Sequence, residues 1–459
     1  MFSRKSISLF LVLAIAISAF GISVVGAQPD LLFPIGEGDF QWGDLDRFNE
    51  MDLSGQEVRV FSPWLTVDEE NAVNVLSYFE AATGADVIHS GSDSFEQQVV
   101  VDIQAGSPPN IAVFPQPGLA ANIAAQGGLV PLGDELRQAV LDNYSAGQSW
   151  VDLGTYEDPD GNAQFFGLPF KVDVKSLVWY VPDNFAEAGY EVPATMEELL
   201  ALSEQIVADG GTPWCIGLGS GDATGWPATD WIEDIMLRTA DPSVYDQWVT
   251  NEIPFNDPAV VNAIETFGLF AKNDAWVDGG ATAVAATDFR DSPAGLFTVP
   301  PTCYLHHQAS FIPSFFPEGT EMGVDADFFY FPPFEAEDLG NPVLGAGTLW
   351  TITEDSEATR ALLDFLTTPL ANELWMAQSG FLTPHSGVNT DLYADDTLRG
   401  LGDILLNATT FRFDGSDLMP GAIGAGAFWR EMVSYVSSPD MTAEEAATNI
   451  QEAWDAIQE

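Results

Sequence analysis

The sequence is poor in basic residues, and this shortage excludes two classes of partner. Only 14 lysine and arginine residues oppose 69 aspartate and glutamate residues, which gives a formal net charge of -55. Nucleic acids and anionic membranes are polyanions, so a chain this acidic has no electrostatic attraction for either. We therefore expect no nucleic-acid or membrane-surface partner, and we interpret the acidic excess as a solvated surface.

Cysteine and histidine are scarce as well, which argues against a metal centre. Cysteine occurs only at Cys215 and Cys303, and the histidines lack the i, i+4 spacing of a helical metal site. Two thiols lack the remaining ligands that a tetrahedral zinc site needs, so we expect neither a metal nor another cofactor. In an exported protein an even pair of cysteines is typically bridged, and we predict one disulfide between these two residues.

Motifs of known catalytic machinery are missing. The chain has no G-x-x-x-x-G-K-[ST], H-E-x-x-H or G-x-S-x-G sequence, and no G-x-G-x-x-G after a strand. Asp230 and Glu233 lie one helical turn apart and form the kind of carboxylate pair that a glycosidase uses. Chance pairs are expected in so acidic a chain. We therefore predict no catalytic residues.

Long apolar runs are confined to the N-terminus. Basic residues precede an apolar stretch from Ile7 to Ala19, and Val-Gly-Ala at residues 25–27 offers a cleavage site with small side chains. This pattern predicts a secretory signal over residues 1–27 and a mature chain that begins near Gln28. We expect a secreted protein, in the periplasm or on the outer face of the cell membrane.

The rest of the chain alternates between two types of apolar pattern. A chain of 459 residues with 46% hydrophobic residues is expected to form two globular domains. The alternation predicts an α/β fold with a mainly parallel sheet. Strands are predicted at 57–61, 85–89, 110–114, 176–180, 213–217 and 348–352, and helices at 68–83, 94–106, 195–209, 231–238, 259–272 and 356–378. Capping boxes are predicted at Ser94 and Thr195.

Lysine placement is informative because lysine is so rare. After residue 5 it occurs only at Lys171, Lys175 and Lys272, and the first two lie where the predicted domains meet. A cation at the edge of a cleft can donate hydrogen bonds to sugar hydroxyls or neutralise nearby carboxylates. A pair of structural salt bridges is an equally good interpretation. Of the two residues, we favour Lys175 as a ligand contact.

Several tryptophans lie beside strand ends, glycines or loops: Trp64, Trp226, Trp231, Trp350 and Trp429. The apolar faces of sugar rings stack on flat aromatic surfaces, while carboxylates and amides bind the hydroxyls. The set therefore indicates a sugar-binding cleft, although for each tryptophan alone a place in the core is an equally good interpretation. The alternatives are a secreted carbohydrate-active enzyme and a protein that captures a cationic solute such as a polyamine.

Three segments resemble a known family: FKVDVKSLVWY at 170–180, GWPATDWIE at 225–233 and RFDGSDLMP at 412–420. They are similar to the periplasmic solute-binding proteins of carbohydrate ABC importers (extracellular solute-binding protein family 1), and most similar to the α-glucoside-type group. A maltose-binding relative has Met-Pro followed eight residues later by Phe-Trp. Met419-Pro420 and Phe428-Trp429 repeat that spacing here.

The resemblance implies a two-lobed periplasmic-binding-protein fold with a ligand cleft between the lobes and a multi-segment hinge. After an extension over residues 28–52, the N-lobe would comprise residues 53–168 plus 334–380, and the C-lobe residues 169–333 plus 381–459. Closure around a sugar, as a monomer, would present the ligand to the permease subunits of an importer.

The residue patterns and the resemblance together give a set of predicted ligand-binding residues. The set is Trp64, Asp93, Gln116, Asp173, Lys175, Trp226, Asp230, Trp231, Trp350, Phe381, Met419 and Trp429. Thr348 is left out, because relatives often carry an acidic residue after the glycines at that point.

Overall fold

The computed structural model describes residues 31–145, 147–378, 380–407 and 410–458, so the predicted signal over residues 1–27 lies outside the described residues. The strands are β1 Glu57–Ser62, β2 Asp86–Gly91, β3 Ile111–Phe114, β4 Thr155–Glu157, β5 Ala163–Phe165, β6 Gly167–Val174, β7 Leu177–Tyr180, β8 His306–His307, β9 Asp327–Tyr330, β10 Pro342–Ile352 and β11 Thr410–Phe413.

Helices occupy much of the remaining chain. They are α1 Asp46–Asn49, α2 Thr66–Thr83, α3 Phe95–Gln104, α4 Pro117–Ala125, α5 Asp134–Asn143, α6 Gly147–Leu153, α7 Pro182–Ala188, α8 Met196–Ala208, α9 Trp226–Thr239, α10 Pro242–Val249, α11 Pro258–Ala271, α12 Ala281–Val284, α13 Glu357–Leu366, α14 Pro369–Met376, α15 Asp396–Asn407, α16 Gly415–Leu418, α17 Trp429–Ser437 and α18 Ala443–Gln458. In the part of the chain that the structure describes, no helix combines the length and apolar character needed to cross a bilayer.

The largest sheet is mixed rather than mainly parallel. Its strands run in the order β11-β10-β3-β1-β2, and β6 also pairs with β10. β1 pairs in parallel with β2 and β3, as the β-α-β pattern predicts, but β10 is antiparallel to both β3 and β6. The parallel prediction is therefore wrong for β10, since this strand runs against both of those neighbours instead of following a crossover helix.

Two long strands pass between the two lobes of the molecule. Every residue of β6 and of β10 is buried. Their antiparallel ladder shifts register between Gly347 and Leu349. One end of β10 pairs with β3 and the other end with β11. These two strands thus join the two lobes at their centre.

The first lobe is built on β1, β2 and β3 and the helices that follow them. α2 buries Ala72, Val75 and Phe79 against the sheet and ends at Gly84, whose left-handed φ of 77° favours glycine. The second lobe contains the antiparallel sheet β8-β7-β9 and a hydrophobic cluster to which α8, α9, α11, α17 and α18 contribute. The predicted disulfide between Cys215 and Cys303 is present in this lobe, with Cα atoms 5.5 Å apart.

Local differences from the sequence predictions have physical reasons. Thr195 caps its helix, because its hydroxyl accepts a hydrogen bond from the Glu198 amide at 3.2 Å. Ser94 precedes α3 but its side chain makes no cap bond, since its ψ of 25° is not the extended conformation of an N-cap. The predicted strand at 213–217 is instead an irregular segment with bridges only at Trp214.

Candidate ligand-binding cleft

A cleft with a volume of about 150 Å³ lies against the paired strands β6 and β10. Its base is formed by Lys171, Asp173, Ala346, Gly347 and Thr348 on these two strands. We call the residues from 63–116 the first wall: Pro63, Trp64, Leu65, Asp68, Ser92, Asp93, Glu96, Pro115 and Gln116. The second wall is Lys175, Ser220, Ala223, Trp226, Phe289, Arg290, Phe311, Phe315, Asp414, Asp417 and Trp429.

The first wall is formed by residues that follow the parallel strands β1, β2 and β3. Trp64 comes after β1, Asp93 after β2 and Gln116 after β3, each just before a helix. Because the carboxyl ends of parallel strands meet at one edge of a sheet, the three side chains converge there. The start of α2 adds Asp68, and the start of α3 adds Glu96.

Unpaired acceptor oxygens characterise the first wall. Asp68, Glu96 and Gln116 are all buried, yet Asp68 Oδ1, Glu96 Oε2 and Gln116 Oε1 have no partner. Gln116 Nε2 donates to the other oxygen of Glu96 at 3.0 Å, which fixes both side chains. Burying polar atoms without hydrogen bonds is costly, so these oxygens gain from a ligand that donates to them.

Two buried carboxyls of the first wall, Asp68 and Glu96, have raised pKa values. Burial raises the pKa of Glu96 to about 7, although a backbone hydrogen bond and Gln116 oppose the shift. Burial also raises the pKa of Asp68 to about 6, against the opposing charge of Lys171. Neither carboxyl forms a salt bridge with a described residue, and near neutral pH each can accept a hydrogen bond from a neutral ligand or, when protonated, donate one.

Aromatic rings dominate the second wall. The Trp226 ring lies 4.9 Å from Phe289 and 6.0 Å from Phe311, and Phe289 lies 5.7 Å from Phe315. Trp429 is buried, and its indole N–H has no partner. This wall therefore presents apolar ring faces and one free donor to the cleft.

Each cation at the cleft is paired with a carboxylate and lies over an aromatic ring. Lys171 donates to both oxygens of Asp173, at 2.9 and 3.0 Å, and lies 5.1 Å from the centre of the Phe311 ring. The Arg290 guanidinium contacts Asp288 at 3.3 Å and lies 4.3 Å from the Phe289 ring. Such contacts hold the rings in place.

Lys175 lies at the centre of a buried cluster of carboxyls. Its ammonium donates to Asp230 Oδ1 at 2.7 Å and to Asp414 Oδ2. Burial opposes the charged form, but the four surrounding carboxyls, Asp230, Asp414, Asp417 and Glu233, raise the pKa of Lys175 well above its ordinary value. Burial raises the pKa of Asp417 well above the usual carboxyl range, with the charge of Asp414 adding to the shift. The cluster is thus less negative than its composition suggests.

Glu233 supports the second wall from behind. Its oxygens accept hydrogen bonds from the Gly415 and Ser416 amides at 2.7 and 2.8 Å. These amides begin the short helix α16, which carries Asp417 into the cleft. Glu233 therefore fixes a segment of the wall without lining it.

The structure brings seven of the predicted ligand-binding residues to the cleft: Trp64, Asp93, Gln116, Asp173, Lys175, Trp226 and Trp429. The other five lie behind it. Asp230 is bonded to Lys175, Trp231 packs 4.3 Å from the His307 ring, and Met419 is fully buried. Trp350 packs 5.9 Å from Trp64, and Phe381 stacks on Trp375, so both lie in the aromatic core beneath the first wall.

Several cleft residues were missed by the sequence prediction: Asp68, Glu96, Arg290, Phe289, Phe311, Phe315, Asp414 and Asp417. One signal was available for the first-wall carboxyls. Asp68 precedes Ala72 by four residues and Glu96 precedes Val99 by three, so each occupies the buried stripe of its helix. A charged residue at an apolar position is a stronger indicator of a site than charge alone.

The two walls also touch each other. A Cβ atom on Gly221 would lie 2.5 Å from Asp93 Oδ2, and one on Gly118 would lie 1.9 Å from the carbonyl oxygen of Met419. The helix α4, which follows Gln116, thus meets the segment after α16 with no room for a side chain. The two sides of the cleft therefore approach each other closely at these two places.

Comparisons with known proteins agree with this geometry. The family model described as bacterial extracellular solute-binding protein matches residues 72–373. The chain is 61% identical to the α-glucosides-binding periplasmic protein AglE of Rhizobium meliloti (strain 1021), over 93% of this chain and 94% of that protein. It is 40% identical to the osmoprotective compounds-binding protein GgtB of Synechocystis sp., over 90% of this chain and 94% of that protein.

Solved structures show the same fold at low sequence identity. The bacterial solute receptor AcbH superposes with a TM-score of 0.73 at 19% identity, covering 88% of this chain and 99% of the receptor. Maltose-bound MalE3 of T. maritima superposes with a TM-score of 0.66 at 15% identity, covering 88% of this chain and all (100%) of that chain.

Proposed function

Because this chain belongs to the bacterial extracellular solute-binding proteins, we propose that it captures an α-glucoside or a similar small oligosaccharide and delivers it to the permease of an ABC importer. One observation carries the proposal. A wall of unpaired acceptor oxygens faces a wall of aromatic rings across one cleft.

This arrangement suits a neutral sugar. Ring hydroxyls would donate to Asp68, Glu96 and Gln116, while the apolar C–H face would pack on Trp226 and its phenylalanine neighbours. The Trp429 indole N–H and the Thr348 hydroxyl, both unpaired and buried, would bind further sugar oxygens. Two relatives whose names specify α-glucosides and osmoprotective compounds support a small polar solute.

Binding without catalysis is the better interpretation of the carboxylate pair Asp230 and Glu233. Asp230 is held by Lys175, and Glu233 accepts two backbone amides, so both lie behind the cleft wall. A glycosidase needs its two carboxyls on either side of the scissile bond. The cleft is lined by six carboxyls and three cations, so the alternative of a cationic ligand is tested directly with spermidine.

We further propose that the protein works as a monomer outside the cytoplasmic membrane, after loss of residues 1–27. The lobes would comprise residues 53–168 plus 334–380 and 169–333 plus 381–459. Opening would separate the wall contacts between Asp93 and Gly221, and closure would re-form them around the ligand. The closed form is what the permease would recognise.

Calorimetric titration of the mature protein with trehalose, maltose, sucrose and spermidine tests the proposal. At least one disaccharide should bind and be recovered unhydrolysed by chromatography, and spermidine should not bind. Trp226→Ala should weaken binding at least about tenfold, because it removes a ring of the second wall. Trp42→Ala is the matched control, since this half-buried tryptophan packs near Tyr78, outside the cleft. Binding of spermidine alone, or breakdown of the sugar, would contradict the proposal.

A further inference from the structure

Behind the first wall, a chain of hydrogen bonds runs from Trp64 to the surface. The Trp64 amide donates to Ser62 Oγ at 3.1 Å, and this oxygen lies 2.9 Å from His89 Nε2. On the other side of the ring, His89 Nδ1 lies 3.3 Å from Glu69 Oε1. Ser62 is fully buried and the His89 side chain is 1% exposed, whereas the side chain of Glu69 is 36% exposed.

We call this series of hydrogen bonds, from Trp64 through Ser62 and His89 to Glu69, the relay. One arrangement of protons satisfies every group in it. The Glu69 carboxylate can only accept, so the imidazole proton belongs on Nδ1. Nε2 is then an acceptor for the Ser62 hydroxyl, whose oxygen accepts the Trp64 amide. Burial lowers the pKa of His89, against the opposing effect of Glu69, and this keeps the ring neutral. The relay therefore has a direction, from the tryptophan amide to the carboxylate.

The order hydroxyl, imidazole, carboxylate is also that of a nucleophilic triad. In this protein, however, Ser62 cannot act as a nucleophile. Ser62 has no exposed surface, does not line the cleft, and already accepts the Trp64 amide. A nucleophile must reach its substrate, and this hydroxyl has no path to one. The relay can act only through the residue to which it is bonded.

His89 contacts Trp64 in a second way. Its ring is nearly parallel to the indole, with an interplanar angle of 16° and centroids 6.4 Å apart. Trp375 packs edge-on against the same indole at 5.1 Å. The imidazole thus restrains both the backbone of Trp64, through Ser62, and the plane of its side chain.

We propose that Ser62, His89 and Glu69 are positioning residues that hold Trp64 in the orientation in which it contacts the ligand. The proton on His89 Nδ1 fixes the direction of the relay. The link to ligand affinity rests on the proposed function, but the relay itself exists without ligand, and so the two can be tested separately.

The first test uses ligand-free protein. Nitrogen NMR of the imidazole rings, with His89 assigned by its loss in His89→Gln, should show the Nδ1-protonated tautomer. Glu69→Gln keeps an acceptor and should keep this tautomer, whereas Glu69→Met should shift it and speed hydrogen exchange of the Trp64 amide at least about threefold. Glu70→Met, on the same helix and exposed, should change neither. An Nε2-protonated ring in the unaltered protein, or no response to Glu69→Met, overturns the relay.

The second test measures affinity for trehalose, maltose and sucrose. Ser62→Ala and Glu69→Met should each weaken binding about tenfold, since each buried hydrogen bond contributes modestly. Glu69→Gln, which keeps an acceptor, should weaken binding much less than Glu69→Met. Unchanged affinity in a Glu69→Met variant with an altered tautomer overturns the positioning role. If the unaltered protein binds none of the three sugars, the proposed function fails, and the tautomer and exchange results still decide the relay.

Discussion

The first wall of the cleft leaves three buried oxygens unpaired, whereas the second wall leaves one buried donor, the Trp429 indole N–H. Asp68, Glu96 and Gln116 each keep a free oxygen, while Lys175 and Asp414 are bonded to each other. A ligand that donates hydrogen bonds would therefore pair with the oxygens of the first wall, but on the second wall it would meet a surface whose charges are already balanced. The first wall thus offers hydrogen-bond acceptors to a ligand, and the second wall offers a surface of fixed shape.

Removing the charge of Lys175, which the second wall needs to balance its carboxyls, should have the largest effect on the free energy of unfolding. Lys175→Met leaves Asp230 and Asp414 buried without their shared partner, and we expect a loss of about 3–5 kcal/mol in the free energy of unfolding. Urea denaturation measures the change. Lys272→Met is the control, because its half-buried ammonium contacts the carbonyls of Ser438 and Met441 and the Tyr435 ring, and it forms no salt bridge with a described residue. Equal losses in the two variants would contradict a special role for the cluster.

The disulfide should contribute to stability rather than to ligand binding. Cys215→Ser with Cys303→Ser should lower the free energy of unfolding by about 4 kcal/mol, because the bond closes a long segment of sequence separation 88. Sugar affinity at 25 °C should stay unchanged, since neither cysteine lines the cleft. A parallel fall in stability and affinity would show that the bond also shapes the wall.

The buried carboxyl of Glu96 on the first wall should make the stability of the protein depend on pH. The raised pKa of Glu96, about 7 against an ordinary value of 4.5, means that its stabilising contribution is present below pH 4.5 and lost as pH rises through 7. Glu96→Gln should therefore be more stable than the unaltered protein above pH 7, by up to about 3 kcal/mol, with no gain at pH 4. Thermal unfolding across this range measures the difference. The exposed Glu187→Gln should show no such trend.

The contact between the walls gives the smallest expected effect. Gly221→Ala places a methyl group against Asp93 and should weaken sugar binding about fivefold, a cost near 1 kcal/mol for the closed form. Gly319→Ala is matched, because Gly319 also has a positive φ but has no atom near its added Cβ. If calorimetry finds the same affinity in both variants, the contact does not contribute to closure.

The sequence predicts the first lobe better than the cleft. β1, β2, β3, α2 and α3 lie within two residues of the ranges that the apolar pattern predicts, whereas α4, the helix after β3, was not predicted. Tryptophans are harder to assign. Trp226 and Trp231 lie on the same helix, and nearly all of α9 is buried, so no periodicity separates the ring that faces the cleft from the ring in the core.

The second wall was largely missed for a different reason. Phe289, Phe311 and Phe315 come from irregular segments, where side-chain direction depends on tertiary contacts rather than on a local repeat. Asp414 and Asp417 lie in a segment that was recognised by resemblance, but nothing in their local pattern distinguishes them from the other acidic residues. Their role follows only from the burial of Lys175 beside them.

The register shift between β6 and β10 has a mechanical consequence. Regular pairing resists bending because each step of the ladder is tied to the next, and that continuity is interrupted between Gly347 and Leu349. The interruption falls at Thr348, which lies at the base of the cleft with an unpaired hydroxyl. The interruption of the ladder and the bottom of the cleft therefore coincide, so a ligand in the cleft would contact the two strands where their pairing is interrupted.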